Sequence, residues 1–148
     1  MKTCFLFGHA DAPDNIMPRL QAAVEKCYSL GISDFYVGNR GRFDSLAAAA
    51  VKQVKKSFPE IHLYLLIAYH PAERPQNPSE GFDGTYYPLT EKIPRPFAIV
   101  HANEEMLRQA DYVICYVNHV GNTRRLLEMA QKRQLHQRIT IENIAEIG

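Results

Sequence analysis

Apolar residues along this chain fall into two alternating rhythms. Residues 3–7 form a short apolar run that ends at Gly8 and predicts a first strand. From Ile16 the spacing becomes helical, with Leu20, Val24 and Cys27 on one stripe and Ala23 and Leu30 alongside. Gly31 supplies the stop, and Pro18 falls in the first turn, where its missing N–H costs nothing. Residues 33–37 predict a second strand. A second helix follows, with Phe43, Ala47, Ala50, Val51, Val54 and Phe58 in one stripe, Asp44 at or near its N-cap and Pro59 beyond its end. The four alanines at 47–50 suit close approach to a sheet. Residues 61–69 are apolar on both sides and predict a fully covered strand. Residues 112–117 and 139–141 predict two more. Between these two, a helix over 123–134 turns Leu126, Leu127 and Ala130 inward; another is expected around 103–110, entered through 97–100.

Strands alternating with helices predict an α/β fold: a doubly wound, Rossmann-like parallel sheet of about five strands in the order 3-2-1-4-5, with helices on both faces. The chain of 148 residues is long enough for one domain with a real core and too short for two. Within that single domain, 1–148, residues 70–96 hold six of the nine prolines and read as one long irregular loop, the kind that serves as a lid or binding loop.

The formal charge of +1 leaves no overall field to attract nucleic acid or an anionic membrane, so neither is expected as a partner. The longest apolar run, IHLYLLIAY, is far short of a membrane span. The N-terminus reads as a strand rather than a signal peptide. Cys4, Cys27 and Cys115 are odd in number and set among apolar neighbours, which predicts buried reduced thiols and a cytoplasmic protein.

The unusual polar clusters all follow strands. The first strand ends in GHADAPDN, the second in GNRGRFD, the third in YHPAER and the fourth in NHVGNTRR, whereas turns at the opposite edge, such as SLGIS, are ordinary. In an open parallel sheet, ligands bind at the C-terminal strand ends, beside the reversal of strand order. Gly38 and Gly41 before the second helix, and Gly121 before the last, suit phosphate, because glycine admits a ligand to the backbone and a helix start directs N–H groups outward. Arg40, Arg42, Arg124 and Arg125 add donors. The plainer alternative is that the glycines only turn the chain and the arginines are solvated. No G-x-G-x-x-G follows the first strand, no acidic residue closes the second, and no P-loop sequence is present. His9, His70 and His119 end three strands and, with Asp11 or Asp44, would be the raw material of a metal site; histidine after a strand is more often a hydrogen-bonding loop residue, and no metal is expected. Tyr69, Tyr86 and Tyr87 offer rings for a base, or anchor the long loop.

The segments CFLFGH, FYVGNRGRFDSLAA, LIAYHP and ADYVICYVNHVGNTRRLLEMA resemble the SLOG superfamily over nearly the whole chain, and within it the small bacterial proteins related to YpsA. That superfamily includes the Lonely Guy phosphoribohydrolases and the DNA-processing protein A family. The resemblance implies a nucleotide or nucleotide derivative as ligand, lying across the ends of strands one, two and four. It assigns Gly8 and His9 to the first motif, Gly38, Asn39, Gly41, Phe43 and Asp44 to the second, and Gly121, Asn122, Thr123 and Glu128 to the last. It also implies self-association, a dimer foremost. Three positions depart from the pattern: Ala10 stands where relatives often have arginine, Asn122 replaces a glycine, and Leu126 falls where the Lonely Guy enzymes have their glutamate. Glu128 lies about 200° round the helix from that position and does not substitute for it.

The expected function is therefore binding or sensing of a phosphorylated small molecule through Gly8, His9, Gly38, Asn39, Arg40, Gly41, Asp44, Gly121, Asn122, Thr123 and Arg124. The alternative is an enzyme that cleaves a nucleotide N-glycosidic bond, with Asp44, Asp11 or Glu128 stabilising an oxocarbenium-like centre or activating water. Single-stranded nucleic-acid binding through Arg74, Arg95, Arg124 and Arg125 is the weakest reading.

Overall fold

The computed structural model describes residues 2–72 and 81–145. In chain order the elements are β1 (Thr3–Gly8), a 3-10 turn (Asp14–Ile16), α1 (Met17–Ser29), β2 (Asp34–Val37), α2 (Arg42–Lys55) and β3 (His62–Leu66). Then come β4 (Gly84–Tyr86), α3 (Arg95–Gln109), β5 (Tyr112–Tyr116), α4 (Asn122–Arg133) and β6 (Thr140–Asn143). All neighbouring strands pair in parallel, giving one sheet in the order β4-β3-β2-β1-β5-β6.

The α/β class and the parallel sheet agree with expectation; the strand count and order do not. A sixth strand, β4, occupies the edge beyond β3 and comes from the segment read as an irregular loop. Asp83 anchors it. Its Oδ2 accepts the N–H of Leu63 at 2.8 Å, its own N–H donates to the Leu63 carbonyl at 2.8 Å, and Lys55 Nζ meets its carboxylate at 2.7 Å. The same segment gives up its end to α3, which starts at Arg95 rather than near 103, with Pro96 in the first turn where proline is tolerated. Of the rest of that segment, 73–80 lie outside the described residues, and Arg74 with them.

Side chains alternate along β1, so that Cys4 and Leu6 join a core with α1 and α2, while Phe5 and Phe7 join a second core with α3 and α4. On the first face α1 contributes Leu20, Val24 and Cys27, and α2 contributes Phe43, Ala47, Ala50, Val51 and Val54. On the second, Met106 and Leu107 of α3 pack with Leu126, Leu127 and Ala130 of α4. Two helical details are corrected. Leu30 caps α1 and is exposed, and of the four alanines Ala49 faces solvent. All three cysteines are buried thiols. At the far edge Asn143 fastens β6: its Oδ1 accepts from the Val117 N–H at 3.1 Å and its Nδ2 donates to the Val117 carbonyl at 2.8 Å. Among the described residues, no helix is long and apolar enough to cross a membrane.

Candidate functional site

Strand order reverses between β1 and β5: β2, β3 and β4 lie to one side of β1, β5 and β6 to the other. Beside that reversal, over the C-terminal strand ends, is a hollow of about 190 Å³. Phe5, Phe7 and Leu66 form apolar walls together with Ile99 and Ala102 of α3 and Leu126 of α4. Its polar groups are Arg40, Asp44, Asn103, Asn122 and Thr123, with the backbone of Gly8 and Gly38. The glycine loops after β2 and β5 therefore meet at one cavity.

Asp44 is the chemically distinctive group. It is not the N-cap of α2; Gly41 is, and Asp44 lies in the first turn with its side chain folded back, so that Oδ2 accepts the Arg40 N–H at 2.9 Å. A carboxylate at this helix start is favoured by the helix dipole. Burial nevertheless dominates and pushes its pKa from 3.8 up to about 6, against the opposing pull of the Arg40 backbone bond and charge. Gly38 makes room for it, since a Cβ there would lie 3.1 Å from Asp44 Oδ2. This carboxyl is poised to change protonation near neutrality, inside a cavity.

The glycines answer to different demands. A Cβ on Gly8 would sit 2.5 Å from the buried ring of Phe43, and one on Gly41 would sit 2.6 Å from Ala10 Cα. Both are sites of close packing, and the Arg42 N–H donates to the Ala10 carbonyl at 2.9 Å. The first N–H of α2 is thus spent inside the protein, and Asp44 already offsets that helix's positive end. At α4 the situation is the reverse. Gly121 caps it at φ 146°, ψ −169°, a region that side chains disfavour, with open space around it and no acidic residue in the first turn. The anion-favouring helix start is that of α4, whose Asn122 and Thr123 line the hollow.

The arginines divide in the same way. Arg40 lines the hollow, whereas Arg42 is turned away in an exposed ion pair with Asp14. Arg125 and Glu128 lie together in a separate groove along α4, so Glu128 is not positioned as the acid of this cavity. Arg124 is half-buried beside them in sequence, close enough for its charge to act on His9. Asn39 is exposed and, like Asp11, does not line the hollow.

His9 is a clamp rather than a wall of the cavity. It is buried, and its Nε2 accepts the backbone N–H of Asn118 at 3.0 Å and of His119 at 3.3 Å, which puts its own proton on Nδ1. The His119 ring stacks on it with centroids 3.5 Å apart, and His119 Nε2 lies 3.4 Å from Asp11 Oδ1. Burial first, then the neighbouring His119 and Arg124 charges, lower the His9 pKa, with Asp11 opposing. The clamp fixes the turn from β5 into α4, and hence Gly121–Thr123, to the end of β1. His70 is elsewhere, accepting the Ala72 N–H at 3.0 Å. Among the described residues, no group of three or more metal-ligating side chains is disposed to hold an ion.

Asn103 was not among the sequence candidates. Its signal was a lone polar residue on the α3 stripe of Ile99, Ala102 and Met106. Tyr86 is an anchor, its hydroxyl donating to Gln109 Oε1 at 2.8 Å. Tyr69 and Tyr87 border a second, open hollow of about 810 Å³ that also includes His70 and Arg95. The chain matches no protein-family model and no curated protein.

Proposed function

We propose that the protein binds or senses a nucleotide or nucleotide-derived ligand in the cavity at the C-terminal edge of the sheet. The observation that carries this reading is the meeting of Arg40, Asp44, Asn103, Asn122 and Thr123 in one hollow beside the reversal of strand order. In this reading the start of α4, whose N–H groups no capping side chain takes, joins Thr123 and the Arg40 guanidinium in holding a phosphate. Asp44 and Asn103 accept and donate to sugar hydroxyls, a role for which a carboxylate beside a phosphate site is suited when it can take up a proton. The resemblance to SLOG proteins supports the same assignment and extends it to a cytoplasmic dimer, which light scattering on the purified protein would read directly.

Isothermal titration against adenine nucleotides, cyclic nucleotides and ADP-ribose derivatives tests the reading. Micromolar binding that weakens about tenfold in Arg40→Gln is expected; no binding below millimolar across the panel sinks it. Hydrolysis of the N-glycosidic bond is the second reading, favoured by one observation, the Asp44 pKa of about 6, which suits an acid or base working near neutral pH. Its signature is free base released from a nucleoside monophosphate and abolished in Asp44→Asn. Intact nucleotide after prolonged incubation at high protein concentration removes it.

A further inference from the structure

The two hollows share Ala68, and Tyr69, the next residue, lines the second. Two guanidiniums face the Tyr69 ring: Arg40 lies 5.8 Å from its centroid and Arg95, from the first turn of α3, lies 5.5 Å away. Arg40 lines the first hollow and Arg95 the second. Among the described residues, neither guanidinium has a carboxylate within 4.0 Å. Among the described residues, the charged groups lining the second hollow are Glu91, Lys92 and Arg95.

Two guanidiniums gathered about one ring, neither in a carboxylate ion pair among the described residues and only Arg40 within the field of Asp44, are best satisfied by an anion that both can reach. Size points the same way. Pockets for small-molecule ligands typically run to about 300–1,000 Å³, so a first hollow of about 190 Å³ holds only part of a nucleotide. A ligand seated there and continuing into the second hollow passes Arg40, Tyr69 and Arg95.

We infer that Arg40 and Arg95 together receive a second phosphate, and that the ligand class is a nucleotide carrying a diphosphate. One phosphate lies at the start of α4, the other at the arginine pair, and the remainder of the molecule extends toward Tyr69 and Tyr87. This rests on the nucleotide reading above and narrows it.

The test is isothermal titration of adenosine 5′-monophosphate and 5′-diphosphate, with the guanosine pair alongside, into wild type, Arg95→Gln and Arg40→Gln. Arg95 is exposed at a helix start, so its replacement leaves the core untouched. Wild type should bind a diphosphate about tenfold more tightly than the matching monophosphate, the size of one charge-assisted contact. Arg95→Gln should erase that difference while leaving monophosphate affinity unchanged, and Arg40→Gln should weaken both. Equal affinities in wild type, or an Arg95→Gln loss shared equally by both ligands, overturns the inference and leaves the nucleotide reading standing. Failure of all four nucleotides to bind overturns the inference, and the same failure across the cyclic nucleotides and ADP-ribose derivatives overturns the nucleotide reading with it.

Discussion

Replacing Asp44 by asparagine should make the protein more stable at alkaline pH and leave it nearly unchanged in acid. Burial holds the carboxyl at about 6 instead of 3.8. The folded state therefore binds the proton more tightly than the unfolded chain does. The stabilisation that protonation brings is fully present below 3.8 and is lost as pH rises through about 6. At about 1.4 kcal/mol per tenfold change in proton affinity, the ionised acid costs about 3 kcal/mol at pH 8 relative to pH 3.5. Asparagine cannot ionise, and its amide oxygen can still accept the Arg40 N–H. The folded pKa of about 6 already includes the bond from Arg40, so no further deduction applies. A net gain of about 3 kcal/mol at pH 8 follows, or a Tm higher by about 6–12 °C for a domain of this length. Urea denaturation of both proteins at pH 8 and pH 4.5 measures it: the gap should fall from about 3 kcal/mol at the first to about 1 kcal/mol at the second. If Asp44→Asn loses the same stability at both values, the carboxylate is not desolvated in the fold and the argument for its protonation near neutrality fails. An acid kept buried in a cavity at the expense of stability is what a working site, rather than a packing site, would retain.

Three further outcomes follow from the same geometry. Gly121→Ala places no new atom within 4 Å of a neighbour, so its loss of about 1–3 kcal/mol in thermal unfolding comes from backbone strain alone, and asparagine at 121 should recover little at this dihedral. Gly8→Ala drives a methyl into the fully buried Phe43 ring and should cost about 1–3 kcal/mol, much of it recovered in the double variant with Phe43→Leu; simple additivity of the two losses would refute the steric account. For His9, whose pKa is lowered on folding, the stabilising contribution is present above 6.5 and is lost as pH falls. Amide exchange should show the Asn118 and His119 N–H groups losing protection relative to those of β1 as pH falls from 6.5; protection that is flat with pH would exclude His9 as their acceptor.

The alternating rhythm of the chain carried the architecture well, because β1, β2, β5 and the inward stripes of α1, α2 and α4 are set by local period. It failed at β4, where Gly84, Thr85 and Tyr86 have no strand signature of their own. Their pairing is imposed by Asp83, which reaches Leu63 and Lys55 from a distance in sequence. The meeting of the two glycine loops was legible from their common position after strands. The division of labour between them was not: that the start of α2 is filled by Ala10 and Asp44, while that of α4 is open, depends on a contact between the loops after β1 and β2. His9 was legible as a motif residue, but its partners are two N–H groups over a hundred positions away.

The rims of the sheet bear on how copies of this chain can join. A growing β-structure needs a free strand with a long row of open backbone groups. One rim here is a three-residue strand, β4, pinned at its entrance by Asp83, and the other is the four-residue β6, tied back at its last position by Asn143. Such stubs give an incoming strand only a few rungs to climb. Runaway stacking into fibres is thereby discouraged, and two copies gain little by joining rim to rim.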